Sequence, residues 1–157
     1  MSKNKPDTRF FGQSLIEVVI AMAVIVGLAV ALVTTTLVVQ KASRTSKNNS
    51  QATKLVQQNI EQIRILRDRK GFTVLTNNNC WVLINTTDAD PNNWDLATTP
   101  SVACPELVVL NQVVFNRSLK IEDGANPDQK KITVTVSWTD SGGTQSVSNQ
   151  TILSEGL

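Results

Sequence analysis

Residues 10–39 read FFGQSLIEVVIAMAVIVGLAVALVTTTLVV. From Leu15 to Val39 this run holds one charge, Glu17, among aliphatic, small and threonine side chains. As a helix rising 1.5 Å per residue it is about 37 Å long, more than the roughly 30 Å hydrocarbon core of a bilayer. The run therefore predicts a single membrane-spanning helix. The apolar part of an ordinary secretory signal peptide covers only about 7 to 15 residues and ends in a small-residue cleavage site, which TTTLVVQKAS at 34–43 imitates weakly. The residue that needs explaining is Glu17, because a carboxylate at the bilayer centre costs at least about 2.5 kcal/mol.

The chain on either side is polar. Residues 1–12, MSKNKPDTRFFG, contain Pro6 and no apolar core, and read as a leader. The formal charge of +2 is accounted for there by Lys3, Lys5 and Arg9 against Asp7, so the remainder is balanced. After Val39, Ala52, Val56, Ile60, Ile63 and Leu66 recur at helical spacing and form one stripe. No proline interrupts residues 13–70, which predicts one near-continuous helix, apolar all round to residue 40 and amphipathic over 41–70. Arg67, Arg69 and Lys70 suit the negative end of its dipole, and Gly71 is placed to take the left-handed C-terminal conformation.

Beyond Gly71 the pattern changes to strands and polar loops over 71–157. FTVL and CWVLIN are short β-type runs, and the insert from Thr86 to Glu106, rich in Asp, Asn, Pro and Thr, reads as irregular. Asp88 and Asp90 within it raise a calcium loop as one reading, but the glycine and final glutamate of an EF-hand are missing, and a solvated turn is the other. LVVLNQVVFNRSLKI reads as a strand, and so does KKITVTVSW, with Ile132, Val134, Val136 and Trp138 on one face. TDSGG then turns the chain into a polar terminal strand, TQSVSNQTIL, of the kind found at a sheet edge. Cys80 and Cys104 make an even pair, which in an exported domain suggests one disulfide; two buried free thiols are the alternative.

The composition narrows the function classes. There is no histidine, which removes the commonest general base and the imidazole metal ligands. No nucleophile–base pair and no cofactor loop stand out, and two cysteines so far apart make no compact zinc pattern. The expectation is a protein without catalysis, cofactor or metal. Nothing in the tail forms a basic stripe with interleaved aromatics, so no nucleic-acid partner is expected. The Asn-x-Ser/Thr triplets at Asn85, Asn116 and Asn149 are explained by the asparagine content of the tail.

A basic leader, Gly12, QSLIEVVIA with its acid at Glu17, a long helix and a β-rich tail resemble the class III signal and N-terminal helix of type IV pilins and type II secretion pseudopilins. The resemblance is carried by residues 9–40. It implies cleavage between Gly12 and Gln13 by a prepilin peptidase and N-methylation of the new terminus at Gln13. It also implies an assembly role for Glu17, the acid at the fifth mature position. The family more often begins its mature chain with phenylalanine or methionine, and many of its major subunits carry a proline in the membrane helix. Here Gly27 and Thr34–Thr36 are the only features that would loosen it. The implied fold is α+β: a long N-terminal helix, membrane-spanning in its first half, packed by its second half on a small antiparallel β-sheet. The implied partners are the prepilin peptidase, other pilin subunits through helix bundling, an inner-membrane assembly platform and membrane lipid.

Glu17 then has a physical role. Cutting after Gly12 creates an α-amine with a pKa near 8, mostly charged at neutral pH. In a fibre the amine of an incoming subunit would meet Glu17 of one already packed and set its register. A glutamate at the membrane surface, with its carboxylate among the headgroups, is the bland alternative. Ala21, Ala23, Gly27, Ala29 and Ala31 would permit close helix approach, or simply face lipid. The basic leader favours a cytoplasmic N-terminus and an extracytoplasmic domain, although Lys41, Arg44 and Lys47 flank the other side. The expected location is a single-pass membrane protein that later enters a cell-surface or periplasmic filament. The competing expectation is a signal-anchored extracytoplasmic binding domain that does not polymerise.

Overall fold

The computed structural model describes residues 10–155, with side chains from Leu15 onward. The leader to Arg9 therefore lies outside the described residues, as do the side chains of Gly12 and Gln13, where cleavage and methylation are expected. The chain divides at Arg44/Thr45 into two compact units. One α-helix, α1, runs from Phe10 to Lys70. Within the first unit it carries the apolar run, whose large aliphatic side chains are all exposed.

The second unit is built on the last turns of α1 and six strands. All five stripe residues, Ala52, Val56, Ile60, Ile63 and Leu66, are buried, joined by Leu55. They pack on an antiparallel sheet formed by β1 (Asn78–Ile84), β2 (Asp95–Ala97), β3 (Glu106–Leu110), β4 (Val113–Asp123), β5 (Gln129–Asp140) and β6 (Gly143–Ser154). The order is β2-β1-β4-β5-β6. β3 shares the β1 edge of β4, pairing its first half while β1 pairs its second. The α+β architecture is thus the expected one, with helix packed on sheet.

Alternation explains which face is buried. Ile132, Val134, Val136 and Trp138 of β5 lie inward, while Thr133, Thr135 and Ser137 are half-exposed on the other face. On β4 the inward set is Phe115, Arg117, Leu119 and Ile121. The Phe115 and Trp138 rings, 5.7 Å apart and tilted by 49°, meet across the strands. β6 pairs with β5 in unbroken register from Asp140↔Gly143 to Gln129↔Ser154, and its stretch Ser148–Gln150 is exposed as an edge should be.

Four local readings are corrected. Phe72–Val74 forms a 3-10 turn rather than a strand, because the chain must reverse immediately after α1. The irregular insert contains a short strand, β2, held against β1. LVVLNQVVFNRSLKI is two strands: Asn111 and Gln112, at φ 48° and 67°, close a two-residue hairpin with Leu110 opposite Val113. Two positive φ values are what the right-handed twist of a hairpin demands, and glycine usually supplies the second. Gln112→Gly should therefore stabilise the fold by about 1 kcal/mol. A raised midpoint in detergent, followed by circular dichroism, would show it; a lowered one would mean that the glutamine side chain matters more than its backbone strain.

Gly71 also differs from expectation. Its φ is positive at 89°, but ψ is 168°, so it occupies a region open almost only to glycine rather than the left-handed helical well. Its N–H still donates to the Arg67 carbonyl at 2.8 Å, ending the helix. A Cβ here would touch nothing within 4 Å, so the requirement is conformational, not steric. Gly71→Ala is expected to lower stability by about 1 to 2 kcal/mol. The same thermal melt reads this; an unaltered midpoint would show that the turn relaxes freely.

Candidate membrane and assembly site

The candidate site is the apolar part of α1. Its aliphatic side chains are all exposed, and Glu17 is the one charge among them. The side chains from Leu15 to Val39 are unburied by any of the described residues. In water such a surface would be strongly unfavourable, and a lipid or protein environment is what it fits. One helix long and apolar enough to cross a membrane is present near the N-terminus, followed by a β-rich domain.

Two kinds of polar group sit in this surface. Thr34, Thr35 and Thr36 donate their hydroxyls back to carbonyls of the preceding turn: Thr34 to Val30 and Ala31 (3.1 and 2.9 Å), Thr35 to Ala31 (2.7 Å), Thr36 to Leu32 (2.8 Å). That satisfies each donor without leaving the helix, so three hydroxyls are tolerable in hydrocarbon. Glu17 is different. Its side chain is exposed, and none of the ion pairs among the described residues involves it. A carboxylate with no ion-pair partner among the described residues is costly on a surface that fits lipid.

In the second unit, Cys80 and Cys104 are joined in a disulfide with their Cα atoms 6.1 Å apart, which decides between the two expectations for these residues. The bond ties β1 to the segment entering β3, across the insert. Within that insert Asp88 accepts from the Asp90 N–H (2.9 Å) and the Asn93 amide (2.7 Å), and Asp90 accepts from the Asn92 N–H (2.9 Å). The backbone bond from Asp90, then the Asn93 amide, holds the Asp88 carboxyl below the usual carboxylate range. These carboxylates serve the loop's own donors, as a solvated turn does. Among the described residues no three His, Cys, Asp or Glu side chains converge as a metal group would.

A depression of about 500 Å³ is lined by Asn77, Asn78, Asn79, Ile121, Glu122 and Asp123. Its acid is already occupied: Lys130 Nζ lies 2.6 Å from Asp123, whose other oxygen accepts from Asn77 at 2.6 Å. Lys130 first, and Asn77 second, keep that carboxyl below its ordinary range, so it is a closed ion-pair network rather than a poised acid.

Two polar features escaped the sequence reading. Arg117 is buried on the helix-facing side of β4 and donates twice to one oxygen of Glu106, Oε2, from Nε at 2.9 Å and Nη2 at 2.5 Å. Thr45, the first residue of the second unit, donates to Asp140 at the β5–β6 turn (3.3 Å). The first has a signal: a two-residue turn at Asn111–Gln112 places Glu106 opposite Arg117. The second has none that a sequence displays. No family model, no curated protein and no solved structure matches this chain.

Proposed function

We propose that the chain is a structural subunit, a minor pilin or pseudopilin, of a type IV pilus or a type II secretion-like filament. One observation carries this reading: an uninterrupted, unpartnered apolar helix bears a single charge, Glu17, at a fixed distance after Gly12. In this proposal a prepilin peptidase removes the leader after Gly12, leaving an α-amine on Gln13. The subunit waits in the membrane with its β-rich domain outside the cytoplasm, and an assembly platform moves it into the fibre. Helix bundling with other subunits then replaces lipid around Leu15–Val39, and the Gln13 amine of one subunit neutralises Glu17 of its neighbour. Charge neutralisation offsets the cost of carrying an acid through hydrocarbon and fixes the axial register. The polar, exposed terminal strand favours a minor over a major subunit.

The test is mass spectrometry of the N-terminus from membranes with and without the prepilin peptidase. The proposal expects a chain starting at Gln13 only when the enzyme is present, with any methyl group on that residue visible in the same spectrum. A chain still carrying its leader in both samples would leave a signal-anchored domain that does not polymerise.

A further inference from the structure

We propose that Leu107, Val109 and Val114 form a lipid-contacting patch that holds one end of the sheet domain on the bilayer surface; this rests on the reading that Leu15–Val39 lies in a membrane. The three side chains are 64%, 64% and 46% exposed. Their neighbours Val108, Leu110 and Val113 pack on the core, so alternation sends the three to the opposite face of the β3–β4 hairpin. Val109 stands opposite Val114 and Leu107 opposite Asn116, which makes the patch contiguous. Along β4, β5 and β6 the rest of that face is hydroxyl, amide and charged, apart from Ile152 at the other end of the strands.

The position of the patch selects its occupant. Phe115 is opposite Trp138, so Val114, one residue on, lies level with Thr139 and beside Asp140. Asp140 is bonded to Thr45, where the chain enters the domain. From Val39 to Thr45 the chain spans at most about 20 Å even if fully extended. The patch, one to two strand spacings or about 5 to 10 Å from β5, is therefore at the end of the domain that the tether keeps near the membrane. Lys41, Arg44 and Lys47 along this connection favour anionic headgroups. Three aliphatic side chains fall far short of the roughly 800 Å² per partner of a stable protein interface. A tethered contact needs much less, because the local concentration of the surface is already high.

The test places a nitroxide at Val109→Cys in the full chain, reconstituted in vesicles of phosphatidylcholine with phosphatidylglycerol as the minor component. Cys80 and Cys104 are bonded to each other, so the introduced thiol is the only free one. Ile152→Cys and Ile25→Cys are labelled for comparison. The proposal expects the label at 109 to be reached by oxygen and shielded several-fold from a water-soluble nickel complex relative to 152, with 25 reading as lipid. It also expects Leu107→Ser with Val114→Ser to return label 109 to water. Label 25 in lipid with 109 in water, or 109 in lipid regardless of the serine changes, overturns the patch and leaves the membrane helix standing. Label 25 in water overturns both. Spin–spin broadening at 109 with shielding from both reagents would assign the patch to a second copy and likewise overturn the proposal.

Discussion

Glu17→Ala is expected to leave the protein in the membrane fraction and to remove it from sheared filaments. Insertion should be unharmed, because deleting a carboxylate only makes the run more apolar. Assembly loses its counter-charge: a neighbour's α-amine must then enter a helix bundle with nothing to neutralise it. If the lost pairing is worth at least the insertion cost of one charge, about 2.5 kcal/mol, incorporation falls by roughly 70-fold. Glu17→Gln separates charge from shape, since glutamine keeps the volume and some hydrogen bonding. It should fail nearly as badly. Immunoblots of sheared filaments against whole membranes measure the ratio, and normal incorporation of either variant would end the pairing idea while leaving the membrane helix untouched.

The second large effect is expected from Cys80→Ser combined with Cys104→Ser. The bond closes a loop with a sequence separation of 24, for which chain-entropy reasoning gives about 3 to 4 kcal/mol. Few other bonds hold the enclosed segment. Between β1 and β3 it has one 3-10 turn, the three-residue β2 and a handful of Asx-type bonds. The apparent melting temperature in detergent should fall by roughly 10 to 25 °C, and protease should cut within the insert first. Reductant should have the same effect on the native chain and none on the double variant. A melt unchanged by either treatment would show that β2 and the packing of Trp94 and Leu96 suffice.

Much of this fold was legible because two periodicities are clean. The Ala52–Leu66 stripe and the Ile132–Trp138 alternation announced a helix face and a strand face; all of these residues are buried, and Ala52, Val56, Ile60 and Ile63 meet the strand residues in one core. The hairpin at Asn111–Gln112 was hidden because its turn lacks the glycine that normally marks such a turn, and the apolar residues on both sides run together. Phe72–Val74 looked like a strand on composition alone; a three-residue apolar stretch cannot reveal that the chain is reversing. For the candidate site, Glu17 was conspicuous as a lone acid in an apolar run. The burial of Arg117 was not, since an arginine among polar neighbours carries no mark of the acid that will face it after folding.

The threonines at 34–36 have one more implication. Each of their hydroxyl protons is already directed at a carbonyl of its own helix. What remains on the outside of that turn is a methyl group and oxygen lone pairs, with no proton to offer. In this geometry identical helices lying side by side would present acceptors to acceptors at this level, which disfavours polar adhesion there. If copies bundle as proposed, their recognition would then rest on contour, the dents at Gly27, Ala29 and Ala31 against the ridges of valine and leucine around them.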